Sequence, residues 1–263
     1  MNAATDWQGF EIRREKLGLP LRPDGTVVDR LAAILGGHAG SMLMLGLTRE
    51  LAVLGTSLTI ADWNGAMLDA FRAQARPQDV LLQADWLQMQ FPPDAFDAVI
   101  GDGSLTTLTW HDAYSAVFDN LAGCVKPGGL VVIRFFVAPD VPESIDAVVH
   151  AVLAGEERNF HALKWRVAMV LAAQRGGNIA VNDIAETFDA IFPDRAALTA
   201  KAGFAPDEIA QIDAYQGSDA VYSFVTRAQI EQTLPAAFEY LGFESSGDYA
   251  LSDRCPFLVA RRR

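Results

Sequence analysis

From Ser41 onward, short, predominantly apolar runs alternate with longer stretches of helical spacing, and this alternation constrains the fold more than any other feature of the chain. The runs occupy residues 42–45, 58–61, 80–82, 96–100 and 130–137, with helix-like segments around 49–54, 64–75 and 112–123 between them. A strand that is apolar throughout must be covered on both faces, and helical connections carry the chain back so that successive strands run parallel. The expected core is a doubly wound α/β sheet. Ahead of it, Thr26 followed by Asp29 resembles a capping box, and Val27, Val28, Leu31, Ile34 and Leu35 recur at helical spacing up to Gly36 and Gly37. Residues 1–40 therefore read as a helical segment packing on the core.

After Val137 the alternation stops. Residues 141–219 read as helices with turns at Gly176-Gly177 and Pro206, so they form a helical cap inserted into a core made of residues 41–140 and 220–263. Within the cap, His161, Lys164 and Arg166 read as positions on a surface helix. Residues 227–241 read as one more helix, with Ile230, Leu234, Phe238 and Leu241 on one face. Residues 243–251 and 256–260 read as two final strands, a hairpin closing the sheet edge.

Charge narrows the function classes. The 263 residues include 33 acidic and 21 basic ones, a formal charge of −12. Tracking a phosphate backbone requires clustered Lys and Arg, so no nucleic-acid partner is expected. The cap carries 12 acidic and 6 basic residues, which favours a neutral or cationic acceptor over a phosphate. Cys124 and Cys255 are too few for a disulfide framework, and four scattered histidines form no metal motif, so no metal is expected. Residues 1–10 are polar and lack the basic start and apolar run of a signal peptide. No apolar run approaches the roughly 18 residues that span a membrane, and a soluble, cytoplasmic protein is expected. Oligomeric state is not legible.

In an open α/β sheet, ligands bind beyond the carboxyl ends of the strands. Those positions hold Gly46-Leu47-Thr48-Arg49-Glu50, Asp62-Trp63, Asp85-Trp86 and Gly101-Asp102-Gly103-Ser104. A carboxylate after the second strand can accept both hydroxyls of a ribose, and a glycine turn after the first admits a ligand close to the backbone. An acid after the third strand can accept from the amine of adenine, beside an aromatic face. Taken singly, each acid suits a helix cap or loop equally well, and Trp63 and Met67, four apart, also suit a helix core.

The order of these residues resembles the class I S-adenosylmethionine-dependent methyltransferases. Met42-Leu43-Met44-Leu45-Gly46 is similar to the first motif of that family, and Asp62-Trp63-Asn64-Gly65-Ala66-Met67-Leu68 to the second. Ala84-Asp85-Trp86 is similar to the third, residues 96–103 to the fourth, and Val125-Lys126-Pro127-Gly128-Gly129-Leu130 to the turn before the fifth strand. The resemblance implies a Rossmann-like, mostly parallel seven-stranded sheet with a terminal antiparallel hairpin, S-adenosylmethionine as cofactor, and a small-molecule acceptor. It places Gly46, Leu47 and Thr48 beneath the methionine moiety and Asp62 on the ribose. Trp63 and Met67 would pack on adenine, Asp85 would take its amine with Trp86 giving a backbone contact, and Gly101 and Asp102 would face the amino group and sulfonium. Where the family has an acid and then Gly-x-Gly-x-Gly, this chain has Met44, Gly46, Thr48 and Glu50. That departure leaves open a non-catalytic protein retaining the fold. A nicotinamide-dependent oxidoreductase is the other alternative, although Gly-x-Gly-x-x-Gly is absent after residues 42–45. No catalytic residue is assigned: His111 could serve as a base, but His111-Asp112 also reads as a helix start with Asp112 as its cap. Arg22, between Pro20 and Pro23, could reach the cofactor carboxylate.

Overall fold

A computed structural model of the chain describes residues 17–38 and 40–263; the polar amino end at residues 1–10 lies outside them. Helix α1 (Gly25–Leu35) opens on Asp24 instead of Thr26. The Asp24 carboxylate accepts from Val27 N at 3.1 Å, because a cap must have extended backbone and Thr26 is already inside the first turn.

The strands are β1 (Ser41–Leu45), β2 (Ser57–Asp62), β3 (Val80–Gln83), β4 (Phe96–Asp102), β5 (Val125–Arg134), β6 (Asn178–Ala180), β7 (Val221–Ser223), β8 (Phe238–Glu244) and β9 (Phe257–Arg262). Seven of them form one sheet in the order β3-β2-β1-β4-β5-β9-β8, parallel from β3 to β5, with β9 antiparallel to both its neighbours. This is the expected doubly wound sheet with a closing hairpin. Leu45 lies level with Ala61 on one side and Gly101 on the other, so Gly46, Asp62 and Asp102 emerge together on one rim. The strand period of two divides the core cleanly. Met42 and Met44 pack with α1 and with Leu68 and Phe71 of α2 (Gly65–Phe71), while Leu43 and Leu45 pack with Tyr114, Phe118 and Leu121 of α3 (Asp112–Cys124).

Several local expectations give way. Residues 49–53 form a 3-10 helix, and His111, not Asp112, occupies the cap position of α3, without a side-chain hydrogen bond. The expected helix over residues 227–241 is only Arg227–Glu231. A capping box between Thr226 and Gln229 opens it, and Phe238 begins β8. Pro235 explains the difference, since it supplies no N–H to a helix and disfavours helical backbone at Leu234. The final hairpin accordingly starts earlier, with β8 and β9.

The insertion contains α4 (Ile145–Leu153), α5 (Phe160–Gln174), α6 (Val181–Ile191), α7 (Arg195–Ala202) and α8 (Pro206–Ile209), together with β6, which pairs antiparallel with β7 just beyond the insertion in a two-stranded sheet. Helix α5 is not a surface helix. Ala162, Leu163, Trp165, Val167, Ala168 and Val170 are all buried, and so are His161 and Lys164. A helix apolar all round lies inside a core. Arg166 is largely buried and pairs with Glu143 and Glu157 at 2.7 and 3.1 Å. The insertion's apolar cluster also includes Phe136, Ala138 and Cys255 from the sheet side, so the cap shares its core with the main sheet. Among the described residues, no helix is long and apolar enough to cross a membrane.

Candidate functional site

The order of strands reverses between β1 and β4, and a crevice opens there beyond their carboxyl ends. At the end of β1 the chain turns at Gly46, whose φ of +79° favours glycine. Ala61 O of β2 accepts from Gly46 N at 2.8 Å and from Trp86 Nε1 at 2.8 Å. The Trp86 ring packs under the turn, since a Cβ at Gly46 would sit 3.5 Å from it. One β2 carbonyl thus ties the first-strand turn to the residue after Asp85. The Trp86 carbonyl accepts from Asn120 Nδ2 at 2.9 Å.

Asp62 ends β2 and is 6% exposed. Its Oδ2 accepts from Leu47 N at 3.0 Å and its Oδ1 from Asn64 N at 2.9 Å. Burial raises the carboxyl above its ordinary value, against the lowering effect of those two N–H groups. Each oxygen retains acceptor capacity for a hydroxyl. At the end of β4, Ser104 Oγ donates to Leu45 O and accepts from Asp102 N at 3.2 Å, fixing the β4 turn to β1. A Cβ at Gly101 would lie 2.8 Å from that Oγ, so glycine is required there by packing.

Asp102 forms an ion pair with the wholly buried Arg134 of β5. Burial opposes the charge on Arg134, but the attraction and hydrogen bond of Asp102 overcome it and hold the guanidinium protonated. Asp102 also borders a cavity of about 130 Å³ with Arg22, Pro23, Leu47, Thr48 and Glu50. Arg22 Nε donates to Glu50 Oε1 at 2.6 Å. Glu50 stands where the resembled family has a glycine, and its carboxylate is what holds Arg22 at the crevice.

The remaining rim residues are more dispersed. Trp63 is 65% exposed beside Asp62, and Met67 is half-buried in the first turn of α2, so neither is a core residue. Asp85 is exposed; it accepts from Leu87 N and Gln88 Nε2 at 3.0 and 3.1 Å, as a turn carboxylate does. His111 stands in an open cleft with Leu87, Thr109 and Trp110, its Nδ1 3.3 Å from Asp112 Oδ1. Among the described residues, no group of three His, Cys, Asp or Glu side chains could hold a metal.

A second cavity, of about 350 Å³, lies between the rim and the cap, and Leu17 and Leu21 line both cavities. The other walls include Phe136, Lys164, Trp165, Gln211, Tyr215 and Tyr222. Among the described residues no carboxylate lines it. Several of the cap acids pair with arginines instead: Asp189 and Asp213 with Arg195, and Glu143 and Glu157 with Arg166. The only sequence sign of this cavity was the continuous apolar pattern of α5.

Lys164 is 2% exposed and faces the rings of Phe160, Trp165 and Tyr215, with Nζ 4.9 Å from the Tyr215 centroid. The Tyr215 and Tyr222 hydroxyls beside it are pushed up by burial and remain neutral. Burial pushes Lys164 down to about 7 from 10.5. In the unfolded chain the amine stays protonated to higher pH, so between about 7 and 10.5 the unfolded state binds more protons and stability rises with pH. Denaturation midpoints of wild type and Lys164→Met across that window test this: the variant should lose the rise, and parallel curves would contradict a buried neutral amine.

A family model described as "Methyltransferase domain" matches residues 45–133. No curated protein matches the sequence. Among solved structures, the chain is similar to a putative Zn-dependent alcohol dehydrogenase from Rhodobacter sphaeroides, with 14% identity, 92% of each chain covered and a TM-score of 0.58. It is similar to the N-methyltransferase NodS of Bradyrhizobium japonicum WM9 in complex with S-adenosyl-L-homocysteine, with 14% identity, 97% of each chain and a TM-score of 0.51. It is also similar to the 1,6-didemethyltoxoflavin-N1-methyltransferase of Burkholderia thailandensis, with 12% identity, 90% of this chain and 77% of that chain, and a TM-score of 0.52. At these identities the likeness is one of fold, a Rossmann-like fold shared with the two methyltransferase structures.

Proposed function

We propose that this chain, whose residues 45–133 match a methyltransferase domain, transfers the methyl group of S-adenosylmethionine to a small-molecule acceptor held between the sheet rim and the cap at residues 141–219. The observation that carries this reading is the buried Asp62 carboxylate bonded to Leu47 N across the first-strand turn, beside a cavity that shares Leu17 and Leu21 with the cap cavity.

The residues present fit the cofactor. Asp62 is a buried carboxylate with no cation partner among the described residues, and ribose hydroxyls would use its remaining lone pairs. Gly46, Leu47 and Thr48 would pass beneath the methionine moiety, Trp63 and Met67 would cover adenine, and Asp85 with Trp86 would border it. Gly101 and Asp102 would face the amino group, and Arg22, held by Glu50, would take the carboxylate. Once bound, the cofactor supplies a methyl group already activated on sulfur. The protein then has to align the acceptor in line and exclude water, which the contiguous cavities and the buried cap suit. No general base is assigned.

Calorimetry with S-adenosylmethionine, S-adenosylhomocysteine and NAD tests this reading. Binding of the sulfur nucleosides and not NAD is expected. Binding of neither overturns the proposal, and binding of NAD alone favours the oxidoreductase alternative. Asp62→Ala should weaken S-adenosylhomocysteine binding by about 1–3 kcal/mol, the loss of charged hydrogen bonds at a buried site. An unchanged affinity would remove Asp62 from the site.

A further inference from the structure

Four aromatic rings and three polar donors meet in the cap cavity, and among the described residues the donors have nothing to bond. Among those residues Gln211, 8% exposed, has no partner for Nε2, and the buried Trp165 has none for Nε1. Among the described residues Lys164 has neither a hydrogen bond nor an ion pair; its Nζ meets only ring faces. Native proteins rarely leave buried donors unmatched, and an isolated buried amine is costly. Finding all three around one cavity of about 350 Å³ identifies a place where a ligand supplies the acceptors.

Building on the proposed methyl transfer, we propose that this cavity binds a planar aromatic acid as the methyl acceptor, its anionic oxygens on Lys164, Gln211 and Trp165 and its ring among Phe136, Tyr215 and Tyr222. Among the described residues the lining offers donors and no carboxylate, which selects an anion over a cation. Aromatic walls select a flat ring, since stacked and edge-on arrangements reward planar partners. The volume is at the small end of ligand pockets, which suits one or two rings. Phe136, on the cavity wall, packs against Gly103, where a Cβ would lie 2.5 Å from its ring. Gly103 follows Asp102 directly, so the acid lies next to the proposed cofactor crevice.

The proton balance follows from the burial of Lys164. Its amine, pushed down to about 7, takes one proton from the medium when an already ionised acid enters above that pH, completing an ammonium–carboxylate pair. In the methyl step, a lone pair on a nucleophilic atom of the ring forms the new bond to carbon. The carbon–sulfur pair stays on sulfur, and any proton on the nucleophile passes to water.

The test uses the full chain saturated with S-adenosylhomocysteine and two probes of equal shape, 2-naphthoate and 2-naphthamide, titrated calorimetrically near pH 8 in buffers of different ionisation enthalpy. Naphthoate should bind with uptake of about one proton, at least about tenfold more tightly than the amide, as a charge-assisted contact requires. Lys164→Met should weaken naphthoate by about tenfold or more, leave the amide within about twofold, and leave S-adenosylhomocysteine binding unchanged. Gln211→Leu gives a second, smaller loss for the acid alone. Equal affinity for both probes, no binding of naphthoate, or an unchanged Lys164→Met affinity would overturn the proposal. A wild-type protein that binds naphthoate but not S-adenosylhomocysteine would keep this cavity and refute the methyltransferase reading; the reverse would refute only the cavity's ligand.

Discussion

Asp102→Ala should lower the unfolding free energy by about 3–5 kcal/mol, measured by urea denaturation at neutral pH. The substitution strands Arg134, which is 0% exposed and has Asp102 as its carboxylate partner. Of its other donors, Nη1 reaches Tyr249 Oη at 2.9 Å and Nη2 has no partner among the described residues. A guanidinium does not deprotonate in a folded protein, so the charge stays in place without its counter-charge. The double variant Asp102→Ala/Arg134→Met separates this cause from simple loss of packing. Removing both charges should recover most of the stability, since an apolar pair of similar volume is often no worse than a buried ion pair. A single variant that costs less than about 1 kcal/mol would show that Arg134 finds another partner. Asp102 also borders the cofactor crevice, so the same substitution should weaken S-adenosylhomocysteine binding in the folded fraction.

Phe188→Ala should be comparably damaging, by about 3–5 kcal/mol, and its effect should be concentrated in the cap. The ring is 0% exposed and meets Phe160 edge-on with centroids 5.6 Å apart and Phe192 at 5.3 Å. Phe160 in turn meets Phe204 at 5.8 Å and lies under Lys164. Truncation leaves a void that three neighbouring rings cannot close without losing their own contacts. Hydrogen exchange should show lost protection in α4 through α7, with the β1–β5 ladder protected. Because Phe188 lies away from the sheet rim, binding of S-adenosylhomocysteine to the folded variant should persist. A cost under about 2 kcal/mol would indicate that the cap collapses around the void.

Much of the sheet was legible because apolar runs and their spacing carry it. Residues 42–45 and 96–100 pointed to β1 and β4, and the order of Gly46, Asp62 and Asp102 along the chain pointed to one rim, where the register places them. The boundaries at the carboxyl end were not legible from periodicity. Ile230, Leu234, Phe238 and Leu241 have helical spacing, but Pro235 forbids the helix and Leu241 is 40% exposed on a strand. Charge counting likewise suggested a neutral or cationic acceptor, whereas, among the described residues, five of the twelve cap acids pair with arginines and none of the twelve lines the cavity.

The sequence by itself determined the alternating architecture, the helical character of most of the insertion, and which residues follow the first four strands, because side-chain period is a local property. Only the tertiary structure decided what those residues face. Asp102 pairs with Arg134 32 residues away, Glu50 holds Arg22 28 residues back, and Lys164 is sealed among rings from distant segments. Burial and the pairing of charges depend on segments brought together from across the chain. A lysine in a helical run therefore reads as a solvated surface position until packing surrounds it.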